Sequence, residues 1–183
     1  MLNQLRHYLE TQASGVWKYV LQEAVLVALG WIPSLPGMVI RALGYKLILR
    51  SDGFPGIESG VRLVFTENIR LGRGAFLDQG VYLHATPGGI DIGERCFVMH
   101  NAELHVFNFR DLPHAFIKVG ARTFIGESVI IRGQGGVTIG ESVLFGPAAQ
   151  VLAVNHNFAN PALHVMDQGI RGEGIVIEDG AWI

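Results

Sequence analysis

The stretch VGARTFIGESVIIRGQGGVTIGESVLFGPAAQV, residues 119–151, decides how the chain folds. Apolar residues stand at Val119, Ile125, Ile131, Ile139, Phe145 and Val151, six residues apart except for one step of eight. Four residues after a start comes a small or β-branched side chain, as at Thr123, Val129, Val143 and Ala149, and glycine often follows the start directly, as at Gly120 and Gly140. Working outward, the rhythm continues upstream through Ile57, Leu63, Leu71, Leu77, Leu83, Ile92, Val98 and Leu104, and downstream through Ile177 and Ile183. Only every third unit is lengthened, by insertions of 2, 3, 9, 2 and 20 residues, and each lengthened unit recovers an apolar residue two positions before the next start: Ile69, Ile90, Ile117, Val137 and Ile175. Strand meanders of period two and strand–helix–strand units do not produce this pattern. A three-sided parallel solenoid does, with three units per coil and every insertion at one corner.

The remaining composition agrees. A chain of 183 residues suits one domain with a short extension. Charged residues are 16% and apolar residues 49%, which excludes a disordered chain. Net charge is −2 without a basic run, so a nucleic-acid groove driven by counterion release is excluded as well. The single cysteine, Cys96, offers no intrachain disulfide and no zinc motif; a reducing, cytoplasmic setting is expected.

Residues 1–50 read differently, as a helical N-terminal extension, with the solenoid occupying 51–183. From Leu2 to about Leu29 apolar residues recur at mostly helical spacing without proline. Gly30, Pro33 and Pro36 then interrupt the pattern before the apolar stretch 38–49 resumes. No run reaches the roughly 18–20 apolar residues of a membrane span. Two roles fit: a cap over the open first coil, or a peripheral membrane-surface segment using Trp17, Tyr19, Trp31, Ile32 and Leu35 with Lys18, Arg41, Lys46 and Arg50.

The repeat from about residue 57 to 183 resembles the hexapeptide-repeat family, with its pattern [LIV]-[GAED]-x-x-[STAV]-x. The resemblance implies a left-handed parallel β-helix; the general rule for parallel crossovers would have given the opposite hand. Within that family, residues 153–158 (AVNHNF), Gln168-Gly169 and residues 174–183 (GIVIEDGAWI) are similar to the branch of maltose, galactoside and xenobiotic acetyltransferases. There a histidine-bearing loop, here 153–174, precedes a coil reading roughly I-x-I-[GE]-[DN]-x-x-W-I-G. This implies an O-acetyltransferase that moves an acetyl group directly from acetyl-CoA, a co-substrate, to a hydroxyl of a sugar or glycoconjugate, with no metal and as a homotrimer.

An alcohol is a poor nucleophile at neutral pH, and a histidine is suited to remove its proton. The resemblance places that base at His156 and puts Trp182 near the thiol arm of the coenzyme; backbone N–H groups of flanking coils would hold the developing oxyanion. Asp167 and backbone carbonyls are alternative orienting partners for the His156 ring. The plainer reading makes His156 a surface loop residue and Trp182 a corner packing residue. The chain stops at Ile183, the first residue of a unit, and the family pattern would continue with further coils.

Two other readings compete. Residues 98–105 (VMHNAELH), with His84 one coil earlier, resemble the zinc-ligand stretch of γ-class carbonic anhydrases, in which three histidines activate a zinc-bound water. Against this, the Gln-Asp order of that family reads Asp78-Gln79 here, and His84 and His105 instead fall in one column continued by Arg132. The third reading is a non-catalytic scaffold, with the glycine-rich corner 133–136 and the insertion from Val106 to Lys118 serving as turns and an oligomer contact; in the acetyltransferase reading residues 108–114 of that insertion line the acceptor pocket.

Overall fold

The computed structural model describes residues 2–86, 88–107 and 112–183. After three helices the chain runs through three parallel sheets in turn, so that each coil contributes one strand to each sheet. The first sheet stacks Arg50–Ser51, Ile69–Leu71, Ile90–Ile92, Ile117–Val119, Val137–Ile139 and Ile175–Ile177. The second runs from Gly56–Ile57 to Leu144–Phe145, and the third from Arg62–Val64 to Gln150–Leu152. The result is a parallel β-helix-like solenoid, with no closed barrel among the described residues.

Register explains why the six-residue rhythm matters. Ile69, Ile90, Ile117, Val137 and Ile175 are direct neighbours across the first sheet, and Leu63, Leu83, Leu104, Ile131 and Val151 across the third. Every start from Ile57 to Val151 is buried, forming one continuous apolar stack. Ile177 is only partly covered and Ile183 is exposed in the last coil. The corners that follow the first and second sheets turn through a left-handed residue three positions after each start. Six of these are not glycine (Arg95, Asn101, Arg122, Ser128, Ser142 and Ala148, with φ between 55° and 61°). All five insertions leave the corner between the third sheet and the first, as the spacing predicts.

The N-terminal residues form α1 (Leu2–Glu10), α2 (Val16–Leu29) and α3 (Ser34–Gly44). The helical reading of 2–29 is broken between α1 and α2. There the Gln12 carbonyl accepts the N–H of Phe65, and the Ser14 hydroxyl donates to Glu67 Oε1, so the first coil holds this linker out of the helix. Pro36 does not stop α3, because it sits in the first turn, where its missing N–H leaves no intrahelical bond unmade.

These helices cover the open end of the solenoid. Arg41, fully buried, donates from Nε to the Ile57 carbonyl at 2.7 Å and from Nη1 to the carbonyls of Leu29 at 3.2 Å and Ile32. Gly37 permits this, since a Cβ there would lie 2.0 Å from the Ile32 oxygen. Gln22 Oε1 accepts the N–H of Thr66, and the Gly30 carbonyl accepts that of Gly60. Tyr45, Ile48 and Leu49 join the apolar stack. Among the described residues no helix is long and apolar enough to cross a membrane.

Candidate active site

The 20-residue insertion folds back on itself. Asn155–His156 pairs antiparallel with Ile170–Arg171, placing His156 opposite Ile170. Side-chain amides hold this arm together. Asn155 Oδ1 accepts the His156 N–H at 2.9 Å, Asn157 Nδ2 donates to the Gln168 carbonyl, and the Gln168 side chain bridges Asn160 and Leu163. Gln168 is therefore the staple of the arm, a role that the Gln-Gly dipeptide in the sequence did not disclose.

His156 is exposed on this arm, at the corner where the third sheet gives way to the first. No hydrogen bond or ion pair among the described residues joins its imidazole to Asp167, whose own N–H donates to the His164 carbonyl. A cleft of about 230 Å³ lies at the root of the arm, between Leu152–Asn155 on one side and Arg171 and Gly174 on the other. His156 is not among the residues that line this cleft, its neighbour Asn155 being the nearest in sequence that does.

Trp182 occupies a different side of the coil. It pairs with Leu144 and so continues an outward-facing column of the second sheet made by Phe76, Phe97, Phe124 and Leu144. It is 80% exposed. The second sheet is the side that does not meet the insertion corner, so His156 and Trp182 do not come together within one chain.

The other histidines divide. His84 and His105 are register neighbours on the third sheet, followed by Arg132, so the polar column read from the sequence is present. Their rings meet edge to face at 4.7 Å, with Phe65 stacked on His84 and Phe107 against both. The Tyr82 hydroxyl lies 2.9 Å from His84 Nδ1. Burial pushes His84 down to about 4 and His105 down to about 3, and the positive charge of Arg132 adds to this for both. The backbone of Thr11 favours the His84 proton, yet His84 Nε2 and His105 Nδ1 complete no hydrogen bond. Arg132 itself is satisfied by Glu103 at 2.9 Å.

His100 is not part of this group. It is half exposed at the turn between the second and third sheets, with Nδ1 3.7 Å from Asp78. Among the described residues no three histidine, cysteine or acidic side chains are grouped to hold a metal ion. Of the insertion at 108–114, residues 108–111 lie outside the described residues, while Pro113 and His114 are exposed at the same corner as the His156 arm. No family model matches the chain, and no curated protein sequence matches it.

Proposed function

We propose that the protein is an acetyl-CoA-dependent O-acetyltransferase of the hexapeptide-repeat kind, built on a left-handed β-helix and acting on a hydroxyl of a sugar or glycoconjugate. The observation that carries this reading is the His156 arm: an exposed imidazole on a side-chain-stapled hairpin whose root borders a cleft, followed directly by the coil that carries Trp182. In the reaction, a ring nitrogen of His156 takes the proton of the acceptor hydroxyl as its oxygen attacks the thioester carbonyl. Backbone N–H groups stabilise the tetrahedral oxyanion. The C–S bond then breaks, the acetyl ester is released, and the proton passes from the imidazolium to the departing thiolate.

The separation of His156 from Trp182 supports a homotrimer. A chain whose base projects from one corner, and whose aromatic column lies on the opposite side, completes a site when the corner of one copy faces the second sheet of the next. Closed threefold symmetry repeats that contact without leaving a free surface.

The test is thiol release from acetyl-CoA with a panel of mono- and disaccharide acceptors, alongside acetyl-CoA binding by calorimetry. His156→Ala is expected to lower turnover by about 10² to 10⁴ with coenzyme binding retained. Unchanged turnover removes His156 from the mechanism, and a wild-type chain that does not bind acetyl-CoA removes the transferase reading itself. A stable monomer in light scattering would refute the shared site.

A further inference from the structure

Among the described residues, nothing packs on one face of each of the helices α2 and α3. Their inner faces are used, by Gln22 and Val25 on α2 and by Gly37 and Arg41 on α3. The outer face of α2 carries Trp17, Val20 and Val27, and Trp31, in the turn two residues past its end, continues the stripe, the two tryptophans being 76% and 72% exposed. That of α3 carries Leu35, Val39 and Leu43, four residues apart, with Leu35 72% exposed. Single exposed apolar residues need no explanation, but helical stripes on two packed helices do.

Charge identifies the occupant. Residues 1–50 contain five Lys and Arg against two Asp and Glu, a net +3 that falls to +2 at the surface because Arg41 is buried, whereas residues 51–183 contain nine against fourteen, a net −5. Lys46 and Arg50 are exposed beside α3, and Lys46 Nζ lies 4.7 Å over the exposed ring of Phe54. A second copy of the same face would bring like charges together. An anionic bilayer surface instead offers apolar depth to the stripes and negative headgroups to the basic rim, which is the boundary that tryptophan and lysine favour.

We infer that α2 and α3 form a membrane-interface face that seats the protein on an anionic bilayer, with Trp17, Trp31 and Leu35 inserted to the depth of the headgroups. Capping and membrane binding coexist, because they use opposite faces of the same two helices. This inference does not depend on the acetyltransferase reading.

Co-sedimentation of the full chain with vesicles tests it. Vesicles of phosphatidylcholine with a quarter phosphatidylglycerol are expected to bind the protein at least about ten times more strongly than phosphatidylcholine alone, and 1 M salt should remove most of that difference. The double variant Trp31→Ser/Leu35→Ser should lose at least about tenfold in partitioning. Its melting temperature should be unchanged, since both side chains are exposed. Absence of binding to the anionic vesicles overturns the inference, as does binding that the double variant leaves intact. Self-association lost in the double variant, with no vesicle binding by the wild type, would overturn it in favour of a protein contact.

Discussion

In the middle coils the N–H of Gly93 donates to the Val119 carbonyl, and that of Gly120 to the Ile139 carbonyl. At the N-terminal end the Ile57 carbonyl is met by the guanidinium of Arg41, and the Thr66 N–H by the amide of Gln22. The middle of the stack satisfies most of its backbone with the backbone of the next coil, side chains such as Thr123, whose Oγ1 accepts the Val143 N–H and donates to the Gly140 carbonyl, adding to it. The end has no next coil and recruits particular side chains from helices distant in sequence. Repetition therefore spreads polar satisfaction widely, while the cap, packed as closely as the coils at Gly37, depends on few residues. The end should be the more sensitive to a lost donor, and added bulk tests the close approach of successive coils in the middle.

The largest effect is expected at the end. Arg41→Ala leaves the carbonyls of Ile57, Leu29 and Ile32 without this donor and opens a cavity beside Tyr45, and should cost about 3–5 kcal/mol in urea unfolding. Arg41→Lys should recover less than half, because one ammonium cannot span carbonyls that a planar guanidinium bridges. A loss below about 1 kcal/mol would make the cap independent of this residue and erase the contrast.

Added bulk in the middle comes next. A Cβ at Gly120 would lie 2.5 Å from backbone atoms of Gly140, so Gly120→Ala should cost about 2–4 kcal/mol. A Cβ at Gly174, by contrast, would meet only the oxygens of Gly135 and Gly136 at 3.6 and 3.8 Å, ordinary contact distances, so Gly174→Ala should stay within about 0.5 kcal/mol. Similar losses at both positions would show that coil spacing is not what the glycines protect.

The smallest effect sharpens the comparison at a place where the coils themselves bury titratable groups, His84 and His105. His84 and His105 are held at about 4 and about 3 by burial, against an ordinary 6.5. The unfolded chain takes up protons as pH falls through 6.5 while the folded chain does not. Their contribution to stability is thus complete above about pH 6.5 and declines as pH drops toward 4 and then 3. Between pH 7 and 5 the melting temperature should fall by several degrees, and His105→Gln should reduce that slope by about half. A slope unchanged in the variant would assign the acid sensitivity to carboxylates instead.

Much of the solenoid was legible because each inward position repeats the same demand every six residues. Ile69, Ile90 and Ile117 had to be apolar for the same reason, and the loops between them had to leave by one corner for the register to survive. The column of His84, His105 and Arg132 followed from the same counting. The candidate site was legible in part: His156 stood out by its motif, but its hairpin and the Gln168 staple depend on amide contacts that occur once and leave no period.

What the sequence determined by itself is therefore the stack, the corner from which the loops emerge and the residues that carry candidate chemistry. Tertiary structure alone decided the break between α1 and α2, the burial of Arg41 and the separation of His156 from Trp182. A charged residue in an apolar stretch reads as solvated until three carbonyls, from Leu29, Ile32 and Ile57, converge on it. The physical reason is the same in each case: burial that repeats along the chain writes a local pattern, whereas a contact made once between distant segments writes none.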